Sequence, residues 1–177
     1  MQIVVLDRDG VINVDSADYI KSADEWLPLP GSIDAIAMIS QKGYTVYVAT
    51  NQAGLARGLF SSVDLHQMHQ KLMSLVVAAG GHIEGIFFCP HHPDEGCRCR
   101  KPNPGLLEQI AESAKASLTD QPFVGDSLKD IQAAIAIGAK PVLVRTGNGK
   151  NTETKLEGLV VDVYDDLDAF ARQLARI

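Results

Sequence analysis

The stretch CPHHPDEGCRCRKPNPG, from Cys89 to Gly105, holds all three cysteines of the chain and two of its five histidines, and Arg100 and Lys101 follow the last cysteine directly. The spacing C-x-H-x5-C-x-C offers three thiolates and one imidazole, a soft tetrahedral set that suits a structural Zn²⁺. Cys89, Cys97 and Cys99 supply the sulfurs, and His91 the nitrogen unless the register shifts by one to His92. Four protein ligands leave no open position, so such a zinc holds structure and does no chemistry. An odd, clustered cysteine count argues against a disulfide framework; ordinary free thiols are the competing reading. A metal at this place would fix the backbone that carries Arg100 and Lys101 and aim both cations at a substrate.

Hard oxygen donors lie elsewhere, in DRDG (Asp7, Asp9) and GDSLKD (Asp126, Asp130). Carboxylates brought together repel unless a cation shares them, and oxygen ligands suit Mg²⁺. Taken singly, each would more often cap a helix or turn. Asp130, one helical turn beyond Asp126, either supports the metal through water or is a surface helical acid. Ser127 either contacts the site or caps the next helix.

Whether these groups meet depends on the elements between them. Ile3 to Leu6, Thr45 to Ala49, Ile83 to Phe88, the run ending PFVGD, Pro141 to Val144 and Val160 to Val163 read as short buried strands. Helical patterns cover Gly31 to Lys42, from a capping box at SSVD to Ala79, Pro104 to Ser117, Leu128 to Ile137 and Asp166 to Arg176. Residues 10–30 form a polar excursion, and TGNGKNTETK reads as a polar loop whose TGNG is a turn. Alternating strands and helices imply an open parallel α/β sheet with helices on both faces, in one domain spanning 1–177. In such sheets chemistry gathers at the carboxyl ends of the strands. Those ends carry DRDG, TNQAG, the Cys/His loop with RKP, and GDSLKD. Trp26 and the five phenylalanines are expected to pack in the core or under loops, and Met38, Met68 and Met73 in the core.

The bulk properties exclude several classes. The chain has 177 residues, 46% of them hydrophobic, with 16 basic and 22 acidic side chains and a net charge of −6. That balance argues against a broad grip on nucleic acid or anionic membrane. No run approaches the ~18 apolar residues of a membrane span, and MQIVVLDRDG lacks the basic start of a signal peptide. A cytoplasmic monomer acting on a small molecule is expected.

The ordered set D-x-D-G, T-N, K-P and G-D-x-x-x-D resembles the haloacid dehalogenase superfamily of aspartate-nucleophile phosphatases, over nearly the whole chain. DRDGVIN, TNQAGLARG and C-x-H…C-x-C-RKP are similar to the D-glycero-D-manno-heptose 1,7-bisphosphate phosphatases, and these in turn to the histidinol-phosphate phosphatases. The resemblance implies a Rossmann-like fold without a separate cap domain. It implies that Asp7 is the nucleophile and Asp9 the general acid and base, with Thr50 and Lys101 holding phosphoryl oxygens. It implies Mg²⁺ on Asp7, the Asp9 carbonyl and Asp126, and zinc on Cys89, His91, Cys97 and Cys99. The acidic loop VDSADY, one residue longer than the usual D-x-x-Y form, implies substrate contacts among Asp15, Asp18 and Tyr19. Asn51, Gln52, Arg57 and Arg100 are further substrate candidates, with a surface ion pair the competing fate of Arg57. Ser127 stands where the family often has a basic residue. The implied activity is removal of the 7-phosphate of a heptose 1,7-bisphosphate in lipopolysaccharide or related glycan synthesis. Alternatives are a histidinol-phosphate phosphatase and, outside enzymes, a zinc-stabilised binding protein on the same fold.

Overall fold

The structure, a computed structural model, describes residues 1–176. Six strands run β1 (Ile3–Leu6), β2 (Thr45–Asn51), β3 (Gly85–Cys89), β4 (Pro122–Gly125), β5 (Lys140–Val144) and β6 (Asp162–Tyr164). They form one parallel sheet in the order β3-β2-β1-β4-β5-β6. The helices are α1 (Ser32–Gln41), α2 (Ser62–Ala78), α3 (Gly105–Ala114), α4 (Leu128–Ala136), α5 (Gly149–Glu153) and α6 (Leu167–Leu174).

Strand periodicity divides the core in two. Val4, Leu6, Val46, Val48 and Val124 face Ile36, Ile39, Leu65, Met68, Leu72 and Phe170, which come from α1, α2 and α6. Ile3, Val5, Tyr47, Ala49 and Phe123 face Leu106, Leu107, Ile110, Ala133 and Ala134 of α3 and α4. The α2 start is the expected capping box: Ser61 Oγ accepts from Asp64 N at 3.2 Å, and Asp64 Oδ2 accepts from Ser61 N at 2.7 Å. The chain leaves β1 toward β2 and β3 on one side, and returns to β4, β5 and β6 on the other. The crevice at that reversal, outside the carboxyl ends of β1 and β4, is where such sheets hold ligands.

The 10–30 excursion is anchored to the body of the protein. Trp26 is fully buried, and Lys71 Nζ donates to the carbonyls of Ala23 and Trp26, each at 2.7 Å. Three expectations need correction. Met73 is 38% exposed, because it lies on the outer side of α2. Phe88 is also exposed, at the end of an edge strand. The TGNGKNTETK segment contains α5, a five-residue helix too short to show a hydrophobic period.

Candidate active site

β1 delivers Asp7 and the loop after it Asp9; β2 ends at Thr50 and Asn51, and Asp126 follows β4. The cleft they line has a volume of about 250 Å³ and is also bounded by Asp15, Tyr19, Gln52, Arg100, Lys101 and Asn148.

Lys101, 2% exposed, is the hinge of its electrostatics. Its Nζ donates to the Ala49 carbonyl at 2.8 Å and pairs with Asp7 Oδ1 and Asp130 Oδ1, both at 2.7 Å. Burial alone would lower its pKa, but the charges of Asp130 and Asp7 outweigh that and hold its pKa above the ordinary lysine value. Asp130 is buried against this lysine, not a surface helical acid. Its other oxygen accepts from Ser127 Oγ at 2.6 Å and Ser127 N at 3.1 Å. Ser127 therefore spends its hydroxyl on that carboxylate.

Burial, with the negative charge of Asp130 beside it, raises the Asp7 pKa well above the ordinary carboxylate range, against the pull of Lys101. Asp126 is pushed up to about 7, chiefly by burial. Gly10 and Gly147 lie against each other and against Asp126, both with positive φ (81° and 54°), and a Cβ on either would run into its carboxylate. Asn148 N donates to Asp126 Oδ2 at 2.8 Å, while Thr146 Oγ1 donates to the Gly10 carbonyl at 2.6 Å. The segment expected to be a remote turn thus forms one wall of the site.

Asp9 lies in a different environment. Burial would raise its pKa, but the Arg8 guanidinium and hydrogen bonds from Asn13, Arg8 and Gln52 lower it below the usual value. Arg8 Nη2 donates to Asp9 Oδ1 at 2.8 Å, Asn13 Nδ2 to the same oxygen at 2.9 Å, and Gln52 Nε2 to Oδ2 at 2.8 Å. Gln52 Nε2 also donates to Thr50 Oγ1 at 2.9 Å. Its amide nitrogen links the two groups.

The donor chemistry fits a divalent cation. Among the described residues Asp126 Oδ1 and the Asp9 carbonyl receive no hydrogen bond. Asp7, Asp126 and Asp130 bring carboxylate oxygens within 4.8 Å of one another. Asp130 is already committed to Lys101 and Ser127, which leaves the other two for a hard ion.

At the end of β3, Cys89, His91, Cys97 and Cys99 converge. The Cys89–Cys99 and His91 Nδ1–Cys99 separations are 3.2 Å; Cys89–His91, Cys89–Cys97 and Cys97–Cys99 are 3.5 Å. Bonds of ~2.3 Å to a central ion subtend tetrahedral edges only a few tenths of an ångström longer, so the set fits zinc. His92 stays outside the cluster, because its Nδ1 accepts from Asp94 N at 3.3 Å and caps the 3-10 turn Pro93–Glu95.

Of the substrate candidates, Asp15, Tyr19, Asn51, Gln52 and Arg100 line the cleft, while Asp18 and Arg57 do not. Arg57 is exposed and lies 6.0 Å from the Tyr19 ring centroid. Asn51 is engaged with the Lys101 main chain, and Arg100 has a buried Nη1 without a partner. Arg8, Asn13, Lys129 and Asn148 were not singled out by sequence. Arg8 and Asn13 lie inside DRDGVIN and Lys129 inside GDSLKD, but those motifs gave none of them a role.

The HAD-hydrolase-like family model matches residues 98–170. The chain is 53% identical over 174 residues to the D-glycero-beta-D-manno-heptose-1,7-bisphosphate 7-phosphatase of Pseudomonas putida, a match covering 98% of this chain and 99% of that one. To the protein of the same name from Pseudomonas aeruginosa it is 52% identical over 174 residues, 97% of each chain. Among solved structures it is similar to D,D-heptose 1.7-bisphosphate phosphatase from B. bronchiseptica complexed with magnesium and phosphate. That similarity has a TM-score of 0.96 and 49% identity, over 99% of both chains.

Proposed function

The chain belongs to the D-glycero-D-manno-heptose-1,7-bisphosphate 7-phosphatase family of HAD-like phosphoric monoester hydrolases, and on that premise we propose that it removes the 7-phosphate of D-glycero-beta-D-manno-heptose 1,7-bisphosphate. The observation that carries the reading is the free Asp7 Oδ2. Lys101 Nζ and Arg8 N, each 2.7 Å from Oδ1, turn that oxygen into the held end of the carboxylate. The second oxygen is left to attack.

In the first half-reaction Asp7 Oδ2 bonds to phosphorus as the bond to the sugar oxygen breaks. The departing electron pair takes a proton from Asp9. In the second, ionised Asp9 takes a proton from water, whose oxygen attacks phosphorus and releases Asp7. Two displacements at a fixed nucleophile replace one difficult displacement. The depressed pKa of Asp9 favours its base form, the form needed for the second half. Thr50 Oγ1 and Lys101 Nζ would hold the phosphoryl oxygens, the lysine offsetting charge that develops on them. Asp7, Asp126 and the Asp9 carbonyl would hold Mg²⁺, which supplies the positive charge that lets buried carboxylates meet a phosphate. Arg100, whose Nη1 lacks a protein partner, and the exposed Lys129 beside it would meet the second phosphate. The whole chain would work as one phosphatase domain, with 89–99 as its zinc loop.

Phosphate release should be followed in steady state with the two anomers of the heptose bisphosphate and with histidinol phosphate, with Mg²⁺ present. The reading predicts the highest kcat/KM for the beta bisphosphate. A higher value for histidinol phosphate would overturn the substrate assignment, and no release from any phosphate would overturn the activity.

A further inference from the structure

Arg8 is the second residue of DRDG, and its side chain is 1% exposed. Burying a guanidinium costs several kcal/mol unless its donors are met. Two of its nitrogens are met by Asp9: Nε donates to Oδ1 at 3.1 Å, and Nη2 donates to Oδ1 at 2.8 Å and Oδ2 at 3.1 Å. The third, Nη1, lies 3.3 Å from Nε2 of His69, a buried residue of α2 distant in sequence. A guanidinium can only donate. His69 Nε2 must therefore carry the lone pair, and the ring proton sits on Nδ1. The ring stands 6.0 Å from that of Phe88, a packing that an aliphatic side chain could also make. What the imidazole adds is an acceptor for the last guanidinium nitrogen.

The consequence falls on Asp9. Its Oδ1 receives Arg8 Nε, Arg8 Nη2 and Asn13 Nδ2, more donors than its two lone-pair sites accommodate well. Its Oδ2 receives Gln52 Nε2 at 2.8 Å and only the longer contact from Arg8. Oδ1 is overfilled, and Oδ2 is the less crowded oxygen, where a proton need displace only the longer Arg8 contact. We propose that His69 and Arg8 are positioning residues that fix the Asp9 carboxylate so that Oδ2 is the oxygen carrying the catalytic proton. This rests on the reading of Asp9 as the acid and base. Without the His69 acceptor the guanidinium would tilt, the two-pronged grip would loosen, and the proton would be shared between two oxygens at variable distance from the leaving group.

The test uses two monophosphates that lack a second phosphate: an alkyl ester, whose alkoxide must be protonated as it leaves, and p-nitrophenyl phosphate, whose phenolate leaves as the anion. The quantity read is the ratio of their kcat/KM values, which ends at loss of the leaving group and cancels the fraction of active protein. Asp9→Asn should lower the alkyl-to-aryl ratio on the order of 100-fold. His69→Leu should lower it about tenfold, while His69→Gln, which keeps an acceptor, should stay within about twofold of wild type. Should His69→Leu not fold, Arg8→Lys, which keeps the charge and loses the fork, should show the same loss of about tenfold. A wild-type ratio in the folded His69→Leu or Arg8→Lys protein, with the Asp9→Asn ratio reduced, overturns the positioning role alone. A wild-type ratio in Asp9→Asn overturns the acid role and the proposal with it.

Discussion

Asn51 clasps the main chain of Lys101 from both sides: Nδ2 donates to the Lys101 carbonyl at 3.1 Å, and Oδ1 accepts from Lys101 N at 3.1 Å. The end of β2 is thereby joined to the loop after β3 at the residue that pairs with Asp7. Asn51→Ala would leave a largely buried amide unpaired, a cost of about 2 kcal/mol. In a chain of this size that is roughly 4–8 °C in Tm. Because the ammonium would lose its fixed approach to the phosphoryl group, kcat should fall about tenfold with little change in KM. Thermal melts and steady-state kinetics check both; an unchanged kcat would show that the contacts of the ammonium suffice.

Asp7→Asn keeps the shape of the side chain and removes the charge that the proposed mechanism uses to attack phosphorus. Turnover should fall by more than about a thousandfold. The fold should not suffer, because buried Asp7 is already opposed by Asp130 and Asp126, and neutralising it relieves that repulsion. A melt at or above the wild-type temperature, with no phosphate release, is the expected pair of results. Retention of more than a few per cent of activity would refute covalent chemistry at this residue.

Asp126 links metal, proton and stability. Without metal its folded pKa of about 7 lies above the ordinary 3.8. The native state then binds more protons than the unfolded chain between about pH 4 and pH 7, so stability falls as pH rises through that window. A cation held by Asp7 and Asp126 competes with those protons. Saturating Mg²⁺ should therefore raise Tm by roughly 5–10 °C at pH 8 and much less at pH 5. Asp126→Asn should abolish most of the gain. Activity lost to EDTA should return with Mg²⁺ and not with Zn²⁺; equal Mg²⁺ shifts at both pH values would sink the assignment.

The alternation that implies a parallel sheet was legible because most strands are short apolar runs and the longer helices have a buried stripe. The strand ends then brought Asp7, Asp9, Thr50, Lys101 and Asp126 to one place. What escaped depends on groups meeting across the fold. Nothing in TGNG marks it as a wall of the cleft; that follows from the close approach of Gly147 to Gly10 around Asp126. His69 sits at an inward position of α2 where a hydrophobe would be expected, and its role emerges only once Arg8 is seen beneath it. Asn51 and Gln52 look like substrate contacts in TNQAG, yet their amides face Lys101, Asp9 and Thr50. Asp130 is indistinguishable in sequence from a solvated helical acid until Lys101 is placed against it.

The zinc loop was expected to hold Arg100 and Lys101 alike, but the two are held differently. Lys101 has anchors of its own in Asn51, the Ala49 carbonyl, Asp7 and Asp130. Arg100 has a main-chain bond from Asn103 N to its carbonyl at 2.9 Å, and a guanidinium nitrogen with no partner. Loss of the metal should therefore release Arg100 and spare Lys101. Cys97→Ser or Cys99→Ser should lower zinc from about one equivalent per chain. Far-UV circular dichroism should change little, since of the loop only Cys89 belongs to a core layer, with Cys97 and Cys99 packed at its edge, and the rest of both layers comes from the strands and helices. For the bisphosphate kcat/KM should drop about tenfold, as in Arg100→Ala, because a charge-assisted contact to the second phosphate is lost. For an aryl phosphate, which needs Lys101 and not Arg100, it should stay within about threefold of wild type. Two results would defeat the division of labour: equal losses on both substrates would mean that Lys101 also depends on the metal, and wild-type kinetics in zinc-free protein would mean that neither residue does.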